Sequence, residues 1–334
     1  MSKRLTGRVL IVAFEGWNDA GEAASGAARV VARALESDVV GAIDPEDYYD
    51  FQFSRPMVSF DEEGNRRLAW PTTELYAPGI SIVQSRPDLA RVHVLLGVEP
   101  SRRWKAFTAE VLELIEDREI DAVVFLGALL ADVPHSRPVP TNITSQNQTL
   151  RLEQGFEKSE YEGPVGILSV LGLALEKAGI ATLSIWGSVP HYAHTPPVPK
   201  ASLALLSELE RVLGLEFGHE TLAEDAFAWE RGVDEACEVD EELAGYVKSL
   251  EAARDEYEAG VATGDELAAE AADAEEGVRL GRLRQEGERL VGAGVQRADD
   301  DLAPGERGEN AAVRGDLLLD ARRLLAVEEP ELGA

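Results

Sequence analysis

Glu15, Asn18 and Asp19 fall within the short run Phe14-Glu15-Gly16-Trp17-Asn18-Asp19-Ala20-Gly21. Two carboxylates and a carboxamide so close together can orient a small polar ligand, pass a proton, or cap a helix. Similar side chains recur farther along the chain: Glu99 with Arg102, Asp132 with His135, and His191 with His194. Asp132 and His135 have the types of an acid/base pair, but they sit in a segment broken by Pro134, Pro138 and Pro140. His191 and His194 stand in a loop set by Pro190, Pro196 and Pro197, without the further ligands a metal site needs. Cys237 has no histidine nearby and reads as a buried structural thiol rather than a nucleophile. Gly16 to Gly21 lacks both the Gly-x-Gly-x-x-Gly spacing and the lysine of a Walker loop, and Trp17 and Asp19 suit a phosphate poorly. No catalytic set stands out, so a non-enzymatic protein is favoured, and no metal or cofactor is expected.

The elements that must position these residues follow from periodicity. Val9-Phe14 is a continuous apolar run and predicts a buried strand; Ala20-Glu36 carries apolar residues at helical spacing. Asp38-Ile43 is a second strand, and Met57-Phe60 and Arg67-Trp70 flank the turn Asp61-Asn65 in a β-rich insert. Ile80-Gln84, Val92-Val98, Ile120-Leu126 and Ala181-Trp186 predict further strands. Arg103-Asp117, Ile167-Lys177 and Pro199-Leu213 predict helices, and 132–149 a long loop. This alternation predicts an α/β fold: a mainly parallel sheet with helices on both faces. In such a sheet the loops after the strand C-termini gather along one edge. That edge makes Glu15, Gly16, Trp17, Asn18, Asp19, Glu99, Asp132, His135 and His191 the candidate ligand- or partner-contact residues. Asn18 and Asp19 have a simpler alternative as caps of the helix starting near Ala20.

Charge divides the chain further. The net charge is −30, and residues 220–334 hold 32 acidic against 12 basic side chains. Such a surface repels nucleic-acid phosphates and anionic membranes, so neither is an expected partner. A single cysteine excludes an intrachain disulfide framework, and the N-terminal apolar run is a strand rather than a leader. No apolar run reaches the length of a membrane helix, and a cytoplasmic protein is expected. The expected division is a core over residues 1–216, a helical appendage over 217–259, and an acidic tail over 260–334. That tail lacks aromatics, so it predicts disorder, with short apolar patches at Val278-Leu283 and Leu317-Leu325.

Five ordered segments together resemble the PAC2 (proteasome assembly chaperone 2-like) family of actinobacteria. They are Phe14 to Gly21, Val94-Leu95-Leu96-Gly97-Val98-Glu99-Pro100, Gly127 to Pro138, Tyr161 to Ile167, and Trp186-Gly187-Ser188-Val189-Pro190-His191-Tyr192. The resemblance implies a nucleoside-phosphorylase-like α/β core, a short C-terminal helical part, homo-oligomeric assembly, and a relation to chaperones of proteasome subunits. Relatives can dock through a C-terminal hydrophobic-tyrosine-any residue tail; this chain has no tyrosine after Tyr257, so that route is not expected. The function expected is thus a non-enzymatic, proteasome-related assembly or interaction factor. The alternative is a small-molecule, nucleoside-like binding protein, or a hydrolase or transferase, using the crevice at the strand ends.

Overall fold

Runs of apolar residues with no polar alternation need cover on both sides, and the structure supplies it. The computed structural model describes Leu5 and residues 7–263; the expectations for the acidic segment beyond lie outside the described residues. In chain order the elements are β1 (Val9–Glu15), α1 (Ala23–Ala34), β2 (Asp38–Ile43), β3 (Met57–Phe60), β4 (Arg66–Ala69), β5 (Thr73–Ala77), α2 (Ile80–Ser85), β6 (Val92–Val98) and α3 (Trp104–Asp117). They continue with β7 (Ala122–Ala131), β8 (Thr141–Thr144), α4 (Gln148–Gln154), α5 (Ile167–Lys177), β9 (Ala181–Pro190), α6 (Pro199–Leu213), α7 (Glu220–Val239) and α8 (Glu241–Thr263).

The main sheet has the order β2-β5-β6-β1-β7-β9-β8. β6, β1, β7 and β9 run parallel at its centre, with Val9 level with both Val92 and Ala122. β5 and β8 run against their neighbours, so the sheet is mixed toward its edges. The α/β fold is therefore as expected. One face buries Ile11, Ala13, Val94 and Val124 under Ala24, Ala27, Ala28 and Val31 of α1 and Leu205, Leu206 and Leu209 of α6. Alanines on α1 let that helix lie close to the strands. The other face buries Leu10, Val12, Phe14, Val123 and Phe125 under Phe107, Val111 and Ile115 of α3 and Leu168, Leu171 and Leu175 of α5. Phe107 sits at its middle, edge-on to Phe14 at 5.8 Å and to Tyr48 at 5.4 Å between ring centres.

Three local expectations are corrected. Ile80-Gln84 is helical, as α2: β5 and β6 pair directly with each other, so the segment joining them finds no ladder and bonds locally, Val83 N–H to Gly79 O at 3.1 Å. The loop expected over 132–149 contains β8, a polar strand that pairs with a β9 extending to Pro190 rather than ending at Trp186. The first helix starts at Ala23, because Glu22 takes a left-handed conformation (φ 53°) that separates it from the short turn Ala20–Glu22.

Phe107→Ala removes a fully buried ring from the centre of one face. The expected loss is about 3–5 kcal/mol of unfolding free energy, read from a chemical-denaturation midpoint.

Candidate functional site

β1 ends in a turn whose polar residues point inward. Asp19 N–H donates to Gly16 O at 3.1 Å, and Gly16 adopts φ 118°, a conformation that favours glycine. Asn18 and Asp19 are buried, whereas Trp17 is 68% exposed. Asp19 Oδ1 accepts from Ala24 N–H at 2.7 Å and Ser25 N–H at 3.2 Å. These are orphan donors of the first turn of α1, which its own N-cap residue, Glu22, leaves without a side-chain partner. Asp19 thus caps the helix, as the simpler reading expects, from three residues upstream.

Asn18 does not cap α1. Its Nδ2 donates to Glu99 Oε1 at 2.9 Å, and the same oxygen accepts from Ile167 N–H, the first residue of α5, at 2.8 Å. Gly166 is required beside it, since a Cβ there would collide with the Asn18 amide. Asn18 O accepts from Ala128 N–H of β7 at 2.8 Å, which fixes the turn to the sheet. Glu15 pairs with Arg29 of α1, which also donates to Ser25 Oγ at 3.0 Å.

Burial raises the Glu15 carboxyl above its ordinary value; Arg29 opposes the shift and the nearby carboxylates of Glu22 and Asp19 reinforce it. Burial likewise raises Asp19, against the hydrogen bonds from Ser25 and Ala24. Its Oδ2 is buried with no hydrogen-bond partner.

Asp132, His135 and His191 form a second network, and no side-chain hydrogen bond among the described residues joins it to the first. Asp132 and His135 are not partners. Asp132 Oδ1 lies 3.1 Å from His191 Nδ1 and 3.3 Å from the Tyr246 hydroxyl. His135 is buried, with Nδ1 2.8 Å from the Tyr192 hydroxyl and Nε2 3.0 Å from Asp234 Oδ1 of α7. Lys200 bonds both the His135 carbonyl and Glu230 of α7. Arg137 grips Asp255 of α8 through two bonds of 2.8 Å, with Glu251 at 3.4 Å. His191, Tyr192 and Tyr246 meet edge to face, with ring centres 5.5–5.9 Å apart.

These residues hold α7 and α8 on the loops after β7 and β9. Sequence reasoning missed the acidic partners on the helices. Glu251 and Asp255, four apart and so on one helix face, were the available signal.

Cys237 is partly exposed rather than buried, and burial with the carboxylates of Asp234 and Asp240 raises its thiol, so the unreactive protonated form is favoured. Among the described residues no group of three or more histidine, cysteine or acidic side chains could hold a metal, and no helix is long and apolar enough to cross a membrane.

Comparison with known proteins follows this geometry. A family model described as the PAC2 family matches residues 13–237. A solved PAC2 family protein from Streptomyces avermitilis is 42% identical, with a TM-score of 0.64 over 72% of this chain and 99% of the other. A proteasome-assembly chaperone homologue from Mycobacterium tuberculosis is 40% identical, with a TM-score of 0.63 over 72% of this chain and 99% of its own. A second M. tuberculosis protein, of unknown function, is 28% identical, with a TM-score of 0.66 over 75% of this chain and 85% of the other. None of the curated proteins matches the chain.

Asp19→Ala removes the cap of α1 and is expected to cost about 1–2 kcal/mol in denaturation, whereas Asp19→Asn keeps the acceptor and costs less. A carboxyl whose value is raised by folding takes up protons as the chain folds, so its contribution to stability is full at low pH. That contribution falls as pH rises past 3.8 through the higher folded value. Stability of Asp19→Asn, measured from about pH 4 to about pH 7, therefore falls less than that of the parent. Arg137→Ala is expected to speed amide exchange in α8 several-fold while leaving β1 and β7 protected, and added salt narrows the difference between parent and variant.

Proposed function

The chain belongs to the PAC2 family, and on that premise we propose that it is a non-enzymatic, proteasome-related assembly or interaction factor, acting in the cytoplasm as a homo-oligomer. The observation that carries this reading is the 40% identity to a proteasome-assembly chaperone homologue over 99% of that protein's length. The corner supports it in physical terms. Asp19 and Glu99, the carboxylates that an enzyme or ligand site would use, are engaged in starting α1 and α5. Trp17, exposed beside them, is the side chain this corner offers to a partner, flanked by Glu15 and Gly16. Residues 260–334, with their excess of acid, are assigned to partner recruitment, beside a core of 1–216 and a helical appendage of 217–259 in the sequence.

A second reading, a nucleoside-like ligand at the strand ends, has one observation in its favour: the buried, unpartnered Oδ2 of Asp19. Thermal-shift screening against nucleosides and nucleotides tests it. Stabilisation that Asp19→Asn abolishes supports it, and a flat screen removes it.

For the first reading, the full chain is expected to co-elute with the α-subunits of its host's proteasome. Trp17→Ala should weaken that association about fivefold or more with little change in stability, since the ring is exposed. Absence of co-elution at every salt and subunit concentration, with and without residues 260–334, would falsify direct action on the proteasome.

A further inference from the structure

α1 and α7 both pack on α6 and face each other across a groove. Two cavities of about 280 and 440 Å³ open along it. They share Val30 and Arg33 of α1 and Leu222 and Asp225 of α7, so together they form one continuous trough. Its size suits a small ligand or a short stretch of chain. Gly26 and Trp229 line only the larger cavity, and Ala34 and Glu220 only the smaller, so α1 and α7 run in opposite directions along it.

Several polar groups in the trough are left for something other than the chain itself. Ser202 of α6 is 3% exposed and lines the larger cavity, yet its hydroxyl makes no hydrogen bond among the described residues. A Cβ on Gly26 would stand 2.7 Å from that oxygen, so glycine keeps it uncovered. Arg33 and Asp225 line the trough from opposite walls, and neither side chain has an ion pair or hydrogen bond among the described residues. Arg29, the other cation of the α1 wall, is held by Glu15. The first turn of α7, whose N-cap residue His219 gives it no side-chain acceptor, stands at the Arg33 end.

We propose that this trough holds the C-terminal residues of a partner protein in extended form. The terminal carboxylate sits on Arg33, the last side chain is apolar and lies against Val30 and Leu222, and the chain before it runs toward Trp229. Gly26, beside Ser202, precedes Arg33 by seven residues, about 10 Å of helix. That distance is about three residues of extended chain, so a single amino acid does not span it. The Ser202 hydroxyl then donates to a carbonyl near the third residue from the end. Asp225 and Glu220, at the Arg33 end, repel a bare anion such as phosphate, whereas a peptide end offers Asp225 an amide N–H. Carboxylate, N–H, apolar side chain and carbonyl are together the chemistry of a chain end, and each meets its complement here.

Calorimetric titration of the full chain with blocked tripeptides tests the site. Acetyl-Gly-Gly-Leu with a free carboxylate is expected to bind with a Kd below about 1 mM, and its C-terminal amide and free leucine about tenfold more weakly. Arg33→Gln, at an exposed position, brings the affinity for the acid down to that for the amide. Ser202→Ala weakens the acid about threefold. Trp17→Ala leaves its binding unchanged, which separates this site from the corner after β1 and from the function proposed for it. No saturable binding of the acid overturns the proposal. So do equal affinities for acid and amide, free leucine binding as tightly as the tripeptide, or an Arg33→Gln chain that binds the acid like the parent.

Discussion

Two carboxylates at the ends of neighbouring parallel strands start the helices on opposite faces of the sheet. Asp19, just beyond β1, takes the orphan donors of α1; Glu99, just beyond β6, takes the first N–H of α5. Asn18 bonds Glu99 and, through its backbone, β7, so the two helix starts share one polar joint. Helix ends buried without such partners are costly, because neither water nor the preceding turn can satisfy them. The joint fixes where α1 and α5 begin, and with them the two apolar layers that enclose the central strands. Burial of Asp19 and Glu15 works against this arrangement by raising their carboxyls, and the helix donors and Arg29 offset that cost.

The C-terminal helices are held by a different balance. α7 buries Ala226 and sets Leu222 and Trp229 against the α1/α6 layer, whereas α8 buries only Val247 among its described side chains. Arg137, Lys200 and His135 meet acidic side chains of the two helices, while His191 packs its ring against Tyr246 of α8. The excess of negative charge in this part of the chain thus has a local function: it meets Arg137 after β7 and Lys200 at the start of α6. Bidentate Arg137–Asp255 gives this contact direction as well as attraction.

Much of the fold is legible in the residues themselves. Val9-Phe14, Val92-Val98, Ile167-Lys177 and Pro199-Leu213 carry patterns that only one burial geometry satisfies, and each forms the expected element. Ile80-Gln84 misleads, because alternating Ile80 and Ile82 mimic a half-buried strand while only Ile82 is buried. Thr141–Thr144 shows no period, since β8 owes its order to pairing with β9. The site divides in the same way. Asp19 as a cap is local chemistry and can be read three to six residues away. The bond of Asn18 to Glu99, and of His135 to Asp234, spans separations of 81 and 99 residues that no spacing rule reaches.

Trp17 gains a thermodynamic property from its neighbours. Its peptide is held between a glycine at φ 118° and two buried residues bonded to α1, β7 and Glu99. Ordering a surface loop on association ordinarily costs backbone entropy residue by residue. Here that freedom was surrendered when the domain folded, and only the two side-chain torsions of the indole are left to settle. The ring is an aromatic anchor with its entropy already spent, displayed at the one strand end where the sheet ties its two helical layers together.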